Sequence, residues 1–170
     1  MSKVVIFGNA EIASLAYYYF KNDTEHEIVA FTVDDEFVKD DIFEGLPVVP
    51  FSEISKRYPK DDYSMHVALS YNKFNRLRQQ KYEAVKQNGY DLVSYISTKS
   101  AYWDDIQIGE NCFILENQTI QPTVKIKDNV MLWSGNHIGH GTTIGSHTYL
   151  ASHVVISGHC KIGERCFFGV

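Results

Sequence analysis

Apolar positions along this chain follow one rule up to about residue 98 and another afterwards. In the first stretch, short apolar runs alternate with segments whose apolar residues recur at helical spacing. KVVIFG reads as a strand ending in glycine, and NAEIASLAYYYFKN as a helix with Ile12, Leu15, Ala16 and Tyr19 on one face. EIVAFTVDD is a second strand closed by two acids. GLPVVPFSEISKRY predicts a short strand and then a helix with Ser52 at its cap. SMHVALS is another strand, NKFNRLRQQKYEAVKQNG a helix stopped by Gly89, and DLVSYIS a final strand. This alternation predicts an α/β fold of Rossmann-like type with a small parallel sheet over residues 1–98.

From about residue 106 neither period applies. Written in sixes from Gln107, the second place holds Ile108, Ile114, Ile120, Ile126, Leu132, Ile138, Ile144, Leu150, Ile156, Ile162 and Phe168. Helices repeat every 3.6 residues and strands every two, so neither generates a period of six. The pattern predicts a parallel β-helix, a hexapeptide-repeat solenoid over residues 99–170. Three hexads close a triangular coil of about 18 residues with the aliphatic side chains inside. Such coils are stable only as a stack, because each buries its apolar row against the next. The sixth places, among them Cys112, Val124, Val130, Thr142, Cys160 and Cys166, are mostly small or β-branched and predict a second, tighter inward row. Asn136 falls there too and is expected to hydrogen-bond between coils. Glycine follows the aliphatic place at Gly109, Gly139, Gly145, Gly163 and Gly169, where a corner with positive φ is expected.

Composition narrows the function. A net charge of -5 without a basic stripe argues against nucleic-acid binding, which depends on neutralising phosphates. No apolar run approaches the roughly 18–20 residues that cross a bilayer. The N-terminus enters a strand-like run without the layout of a signal peptide, so a cytoplasmic location is expected. Three cysteines without a CxxC speak against a disulfide framework or a structural zinc site. All three occupy sixth places, which predicts packing rather than reactivity.

The hexads resemble those of the left-handed β-helix acyltransferases. The α/β segment in front narrows the resemblance to the sialic-acid O-acetyltransferase-like (NeuD/PglD-like) group of nucleotide-sugar acetyltransferases. The resemblance implies a left-handed β-helix, a homotrimer, and a nucleotide-linked sugar on the first domain. It also implies acetyl-CoA as co-substrate in the groove between neighbouring subunits, and no metal. Three stretches of the first half match as well. Gly8, Asn9 and Ala10 in VVIFGNAEIA stand at the group's strand-to-helix turn, where a backbone approaches a diphosphate. Asp34 and Asp35 in FTVDD stand where the group has acids near the nucleotide base, and Asn72 and Arg76 match its sugar-domain motif.

Five of the seven histidines fall within residues 137–159. His147, His153 and His159 share one hexad phase, which assigns them to three different corners and keeps them from meeting on one metal within a subunit. His140 has another phase, and the same place one coil later is Gly158, which leaves room for a ligand. The resembling group carries its catalytic base in I-x-H-x-x-x-I-G, matched here by Ile138, His140, Ile144 and Gly145. The resemblance therefore implies His140 as general base and His147 near the acetyl-CoA thioester; a backbone N–H beside Gly139, Gly145 or Gly158 is the candidate donor to the oxyanion, which places Gly145 and Gly158 in the acetyl-CoA site. An imidazole of pKa about 6.5 is suited to take the proton of an attacking sugar amine. The group often follows its histidine with Glu or Asp; here Gly141 stands there, so either another acid, Asp128 or one of a neighbouring subunit, orients the ring, or His140 works without one. His137 is second in line as base, and Met131 and Trp133 are expected to cover the groove or line the subunit contact.

Two other functions remain open at this stage: a γ-carbonic-anhydrase-like metalloenzyme with histidines shared across subunits, and a non-catalytic sugar-nucleotide-binding protein. The chain stops inside a hexad without a polar cap, which predicts a shortened form of a longer protein or a covered end.

Overall fold

The computed structural model describes residues 2–170. Contacts divide the chain into two units: residues up to Ser70 with Gln80–Val93, and Tyr71–Gln79 with Ser94–Val170. In the first unit, β1 (Lys3–Phe7), α1 (Glu11–Asp23), β2 (Glu27–Val33), β3 (Ile42–Phe43), β4 (Leu46–Pro50), α2 (Ile54–Arg57), β5 (Tyr63–Val67) and most of α3 (Arg76–Gln87) succeed one another. The sheet order is β3-β4-β2-β1-β5, parallel except for the β3 edge. Val4 to Phe7 are all buried in β1, the continuous apolar run of a strand covered on both faces. Ala13, Ala16 and Phe20 form the buried stripe of α1. Val5, Phe7, Ala30, Val49, Ile54 and Met65 belong to one core cluster.

Three local expectations are corrected. Ser52 does not cap a helix; Phe51–Glu53 is a 3-10 turn and α2 is a single turn that ends before Pro59, whose ring disfavours helical backbone in the residue before it. The helix expected from Asn72 starts only at Arg76, because Lys73, Phe74 and Asn75 take φ of 53, 53 and 64°. DLVSYIS is split: Leu92 makes a lone parallel bridge to Met65, while Tyr95–Ile96 opens the solenoid. The period of six extends back through Tyr102 and Ile96, two hexads ahead of Gln107.

The second unit is a β-helix built from three stacks of two-residue parallel strands. Face 1 holds Tyr95–Ile96, Phe113–Ile114, Met131–Leu132, Tyr149–Leu150 and Phe167–Phe168. Face 2 holds Ala101–Tyr102, Thr119–Ile120, His137–Ile138 and Val155–Ile156. Face 3 holds Gln107–Ile108, Lys125–Ile126, Thr143–Ile144 and Lys161–Ile162. Partners are 18 residues apart, as in Thr119 and His137. The second-place row is the core: Ile114, Leu132, Ile138, Ile144 and Leu150 are fully buried, each stabilising by about 1.5–3 kcal/mol.

Polar sixth places stitch coil to coil. Asn136 Oδ1 accepts the Val154 N–H at 2.7 Å. Thr142 Oγ1 accepts from Cys160 N at 3.2 Å and donates to Ser157 O at 2.9 Å. Cys112 is fully buried, and burial pushes its thiol up to about 12.

The corners differ from expectation. Positive φ belongs not to the glycines after the aliphatic place but to the fifth place, at Asn111, Asn117, Thr123, Asn129, Gly135, Gly141, His147, His153, His159 and Arg165. Asn and His are among the few side chains that tolerate this backbone. Gly109, Gly139 and Gly145 are required instead by crowding between coils: a Cβ there would lie 2.2 Å from Asp128 Oδ1, 2.3 Å from Gly158 N and 2.6 Å from the Gly163 carbonyl carbon, respectively.

Candidate active site

The same fifth place puts His147, His153 and His159 on the three corners of the coil, and the residue 18 positions earlier decides what each does. His153 lies over Gly135 and His159 over Gly141, since a Cβ on those glycines would come within 2.5 and 2.6 Å of the imidazole above. His147 lies over Asn129, whose Nδ2 is 2.9 Å from its Nδ1, and Asn129 Oδ1 in turn accepts from Asn111 at 2.9 Å. His147 is 8 % exposed. Its carbonyl accepts from Arg78 at 3.0 Å, and the same guanidinium nitrogen reaches Asn129 O and Thr148 O at 3.3 Å. Burial lowers Arg78 to about 10, which still leaves it charged at neutral pH.

A more open constellation forms where face 2 turns into face 3. His140 is exposed there, at the fourth place. Its ring meets that of His159 edge-on, with centroids 4.7 Å apart and planes at 83°. Gly158 lies against it, because a Cβ at Gly158 would stand 2.8 Å from His140 Cε1. Gln121, one coil earlier, presents Oε1 at 2.9 Å from the His140 backbone nitrogen and 3.2 Å from Nδ1. Asp128 is occupied elsewhere, with Oδ1 accepting the Glu110 N–H at 3.0 Å. Gln121 was not singled out by the sequence; the signal was its place 19 residues ahead of His140, one coil back. His137 is half-buried in its face 2 strand. Met131 and Trp133 lie at face 1, where the Trp133 ring is 6.4 Å from that of Tyr149. Among the described residues, no group of three or more His, Cys, Asp or Glu side chains is placed to hold a metal ion.

In the first unit, Gly8 has φ 135°, and a Cβ on it would meet Ala68 O at 2.8 Å, so only glycine fits between β1 and the end of β5. Asn9 donates to Phe37 O at 3.2 Å. Ala10 starts α1 without a side-chain cap, and its carbonyl accepts from Ala13 and Ser14. Asn9 and Ala10 line a pocket of about 280 Å³ with Phe37, Lys39 and Ile42. Asp34 pairs with Lys81 at 2.6 Å. Asp35 accepts from the Ser52 hydroxyl at 2.6 Å and from its N–H at 3.3 Å, which holds its carboxyl below the usual range. Asn72 and Arg76 are exposed in the second unit, where Arg76 shares a cleft with Lys73, Phe74 and Arg165.

This arrangement defines a class: an α/β unit followed by a hexapeptide-repeat β-helix. Residues 123–158 match the family model described as bacterial transferase hexapeptide (six repeats). No curated protein matches the chain. Among solved structures it is similar to PerB from Caulobacter crescentus, determined with CoA and GDP-perosamine. Identity is 19%, covering 98% of this chain and 86% of that one, at a TM-score of 0.73. The acetyltransferase domain of PglB from Neisseria gonorrhoeae, in complex with acetyl coenzyme A, is 15% identical. It covers 95% and 92% of the two chains at a TM-score of 0.63. WeeI from Acinetobacter baumannii is 15% identical over 95% of this chain and 77% of that one, with a TM-score of 0.52. The likeness to sugar acetyltransferases that the hexads carry thus holds at the level of the fold.

Proposed function

We propose that this chain transfers an acetyl group from acetyl-CoA to an amine or hydroxyl of a nucleotide-linked sugar, with His140 as general base. The observation that carries this reading is the exposed His140 ring on a hexapeptide corner, backed by Gln121 and facing Gly158. The shared fold with proteins solved with CoA, acetyl coenzyme A and GDP-perosamine supports the substrate class.

The sugar nitrogen or oxygen attacks the thioester carbonyl while imidazole takes its proton. Collapse of the tetrahedral intermediate expels CoA thiolate, which receives the proton back. A backbone N–H beside Gly158 is the donor to the oxyanion, since those of Gly139 and Gly145 donate to Ile156 O and Ile162 O in the next coil. Gly145 and Gly158 line the acetyl-CoA groove in this reading, whereas the burial of His147 favours a packing part for it over direct contact with the coenzyme.

Residues 1–98 then act as a Rossmann-like sugar-nucleotide domain and 99–170 as a left-handed β-helix acyltransferase domain, working as a homotrimer in the cytoplasm. Gly8, Asn9 and Ala10 offer the uncapped start of α1 to a diphosphate. Asp34 and Asp35 shape the nucleotide end through Lys81 and Ser52. Asn72 and Arg76 are the remaining sugar-nucleotide contacts.

The test is thiol release from acetyl-CoA with a panel of UDP-, GDP- and dTDP-linked amino sugars. One sugar nucleotide should support turnover, and His140→Ala should lower it by about 10²- to 10⁴-fold without changing sugar-nucleotide affinity by calorimetry. Bound ligands without acetyl transfer on any member would sink this reading.

A further inference from the structure

We propose that Gln121 is the positioning residue of this site: its neutral amide, in place of a carboxylate, holds His140 in the Nδ1-protonated tautomer and leaves Nε2 as the base. The kinetic half of this proposal rests on the acetyl-transfer reading; the tautomer does not.

The backbone of His140 settles the orientation of the amide. A backbone N–H only donates, so the Gln121 atom 2.9 Å from His140 N must be the carbonyl oxygen and not the amide nitrogen. That same oxygen lies 3.2 Å from Nδ1. An oxygen that only accepts requires Nδ1 to carry the hydrogen, and in a neutral imidazole the other nitrogen then holds the lone pair. One side-chain atom thus binds both the backbone and the ring of His140. Gln121 is itself held, because its N–H donates to Ile138 O at 3.0 Å.

The seat also explains why no acid follows His140. A Cβ at Gly141 would lie 2.6 Å from His159 Nδ1, and the φ of 67° there adds strain for most side chains. Asp or Glu at 141 would therefore collide with the ring that borders His140. Gly158 bounds the ring on the following coil, with its virtual Cβ 3.0 Å from Nδ1. With both glycine places closed to side chains, the preceding coil is the direction from which a partner reaches Nδ1, and Gln121 reaches it.

The consequence is electrostatic. A carboxylate beside an imidazole favours the imidazolium by Coulomb attraction, whereas an amide oxygen contributes a dipole without net charge. His159 is the titratable side chain packed against the His140 ring. Asp105, two coils back on the same corner, accepts the Thr123 N–H.

The experiment combines long-range ¹H–¹⁵N NMR of the imidazoles, with His140 assigned through H140N, and pH–rate profiles of Q121L and Q121E. The expected wild-type spectrum shows His140 protonated at Nδ1 and bare at Nε2, with Q121L giving a mixture of tautomers. In turnover, Q121L should lose about 10- to 100-fold in kcat with the sugar KM unchanged. Q121E should recover most of that rate and move the acid limb of kcat/KM up by about one pH unit or more. A wild-type ring protonated at Nε2, or Q121L with an unchanged tautomer and rate, would overturn the proposal. Absence of turnover by wild type on every sugar would overturn the acetyl-transfer reading alone, since the spectra decide the Gln121 contact independently.

Discussion

His147 and His159 are the same residue type, at the same hexad place, in the same left-handed backbone conformation, two hexads apart, yet they do opposite things. His147 is sealed into a ladder with Asn129 and Asn111 under the Arg78 guanidinium. His159 is exposed and forms one wall of the His140 site. Period alone assigns a histidine to a corner. What stands one coil below, and which distant segment lies over that corner, determine whether the imidazole is structural or available. Asn beneath gives a hydrogen bond and burial; Gly beneath gives a seat for a ring.

The largest expected effect breaks the sealed corner. Arg78→Ala removes the donor to three buried carbonyls and should lower unfolding stability by about 3 kcal/mol or more, read from the urea midpoint. Arg78→Met fills the volume but donates nothing, so it should recover only part. Next, exchanging the histidines should separate the corners. His147→Ala should cost about 1–2 kcal/mol of stability through the orphaned Asn129 while leaving turnover within about twofold. His140→Ala should do the reverse, with stability inside about 0.5 kcal/mol of wild type. Similar stability losses for both would erase the distinction.

Gly141→Ala sharpens the comparison at the open corner. It should lose about 1 kcal/mol from the positive φ and a few-fold in kcat as His159 is pushed against His140. The double variant with His159→Ala should lose less than the sum. The smallest effect concerns Cys112. Its thiol, raised by burial from 9.0 to about 12, stays protonated when folded. Because the unfolded chain loses that proton near its ordinary value and the folded chain does not, stability should fall as pH rises from about 9 toward 12. A disulfide-exchange reagent at pH 8 should label the half-buried Cys166 well before Cys112.

Much of the architecture was legible because it depends on periodicity. A row of Ile and Leu every six residues can be buried continuously in a three-sided coil, and the sixth-place cysteines and threonines follow from the same geometry. The glycines were placed correctly in the row but for another reason: coils stack so closely at Gly109, Gly139 and Gly145 that no Cβ fits. Of the candidate site, the juxtaposition of His140 and Gly158 was legible, through their shared phase one coil apart. Gln121 was not, because a hydrogen bond over 19 residues depends on side-chain reach as well as on phase. Arg78 was passed over for its neighbour Arg76, because a helix pattern does not say which of two basic residues is buried.

By itself, then, the sequence determined the winding of the second unit, which residues point inward, and which corner each histidine occupies, because repeat spacing translates directly into stacked strands. Only the tertiary structure decided which corners stay open and which side chain meets the His140 imidazole. Those outcomes depend on contacts between residues far apart in the chain, Arg78 with His147 and Gln121 with His140, whose meeting no local pattern encodes.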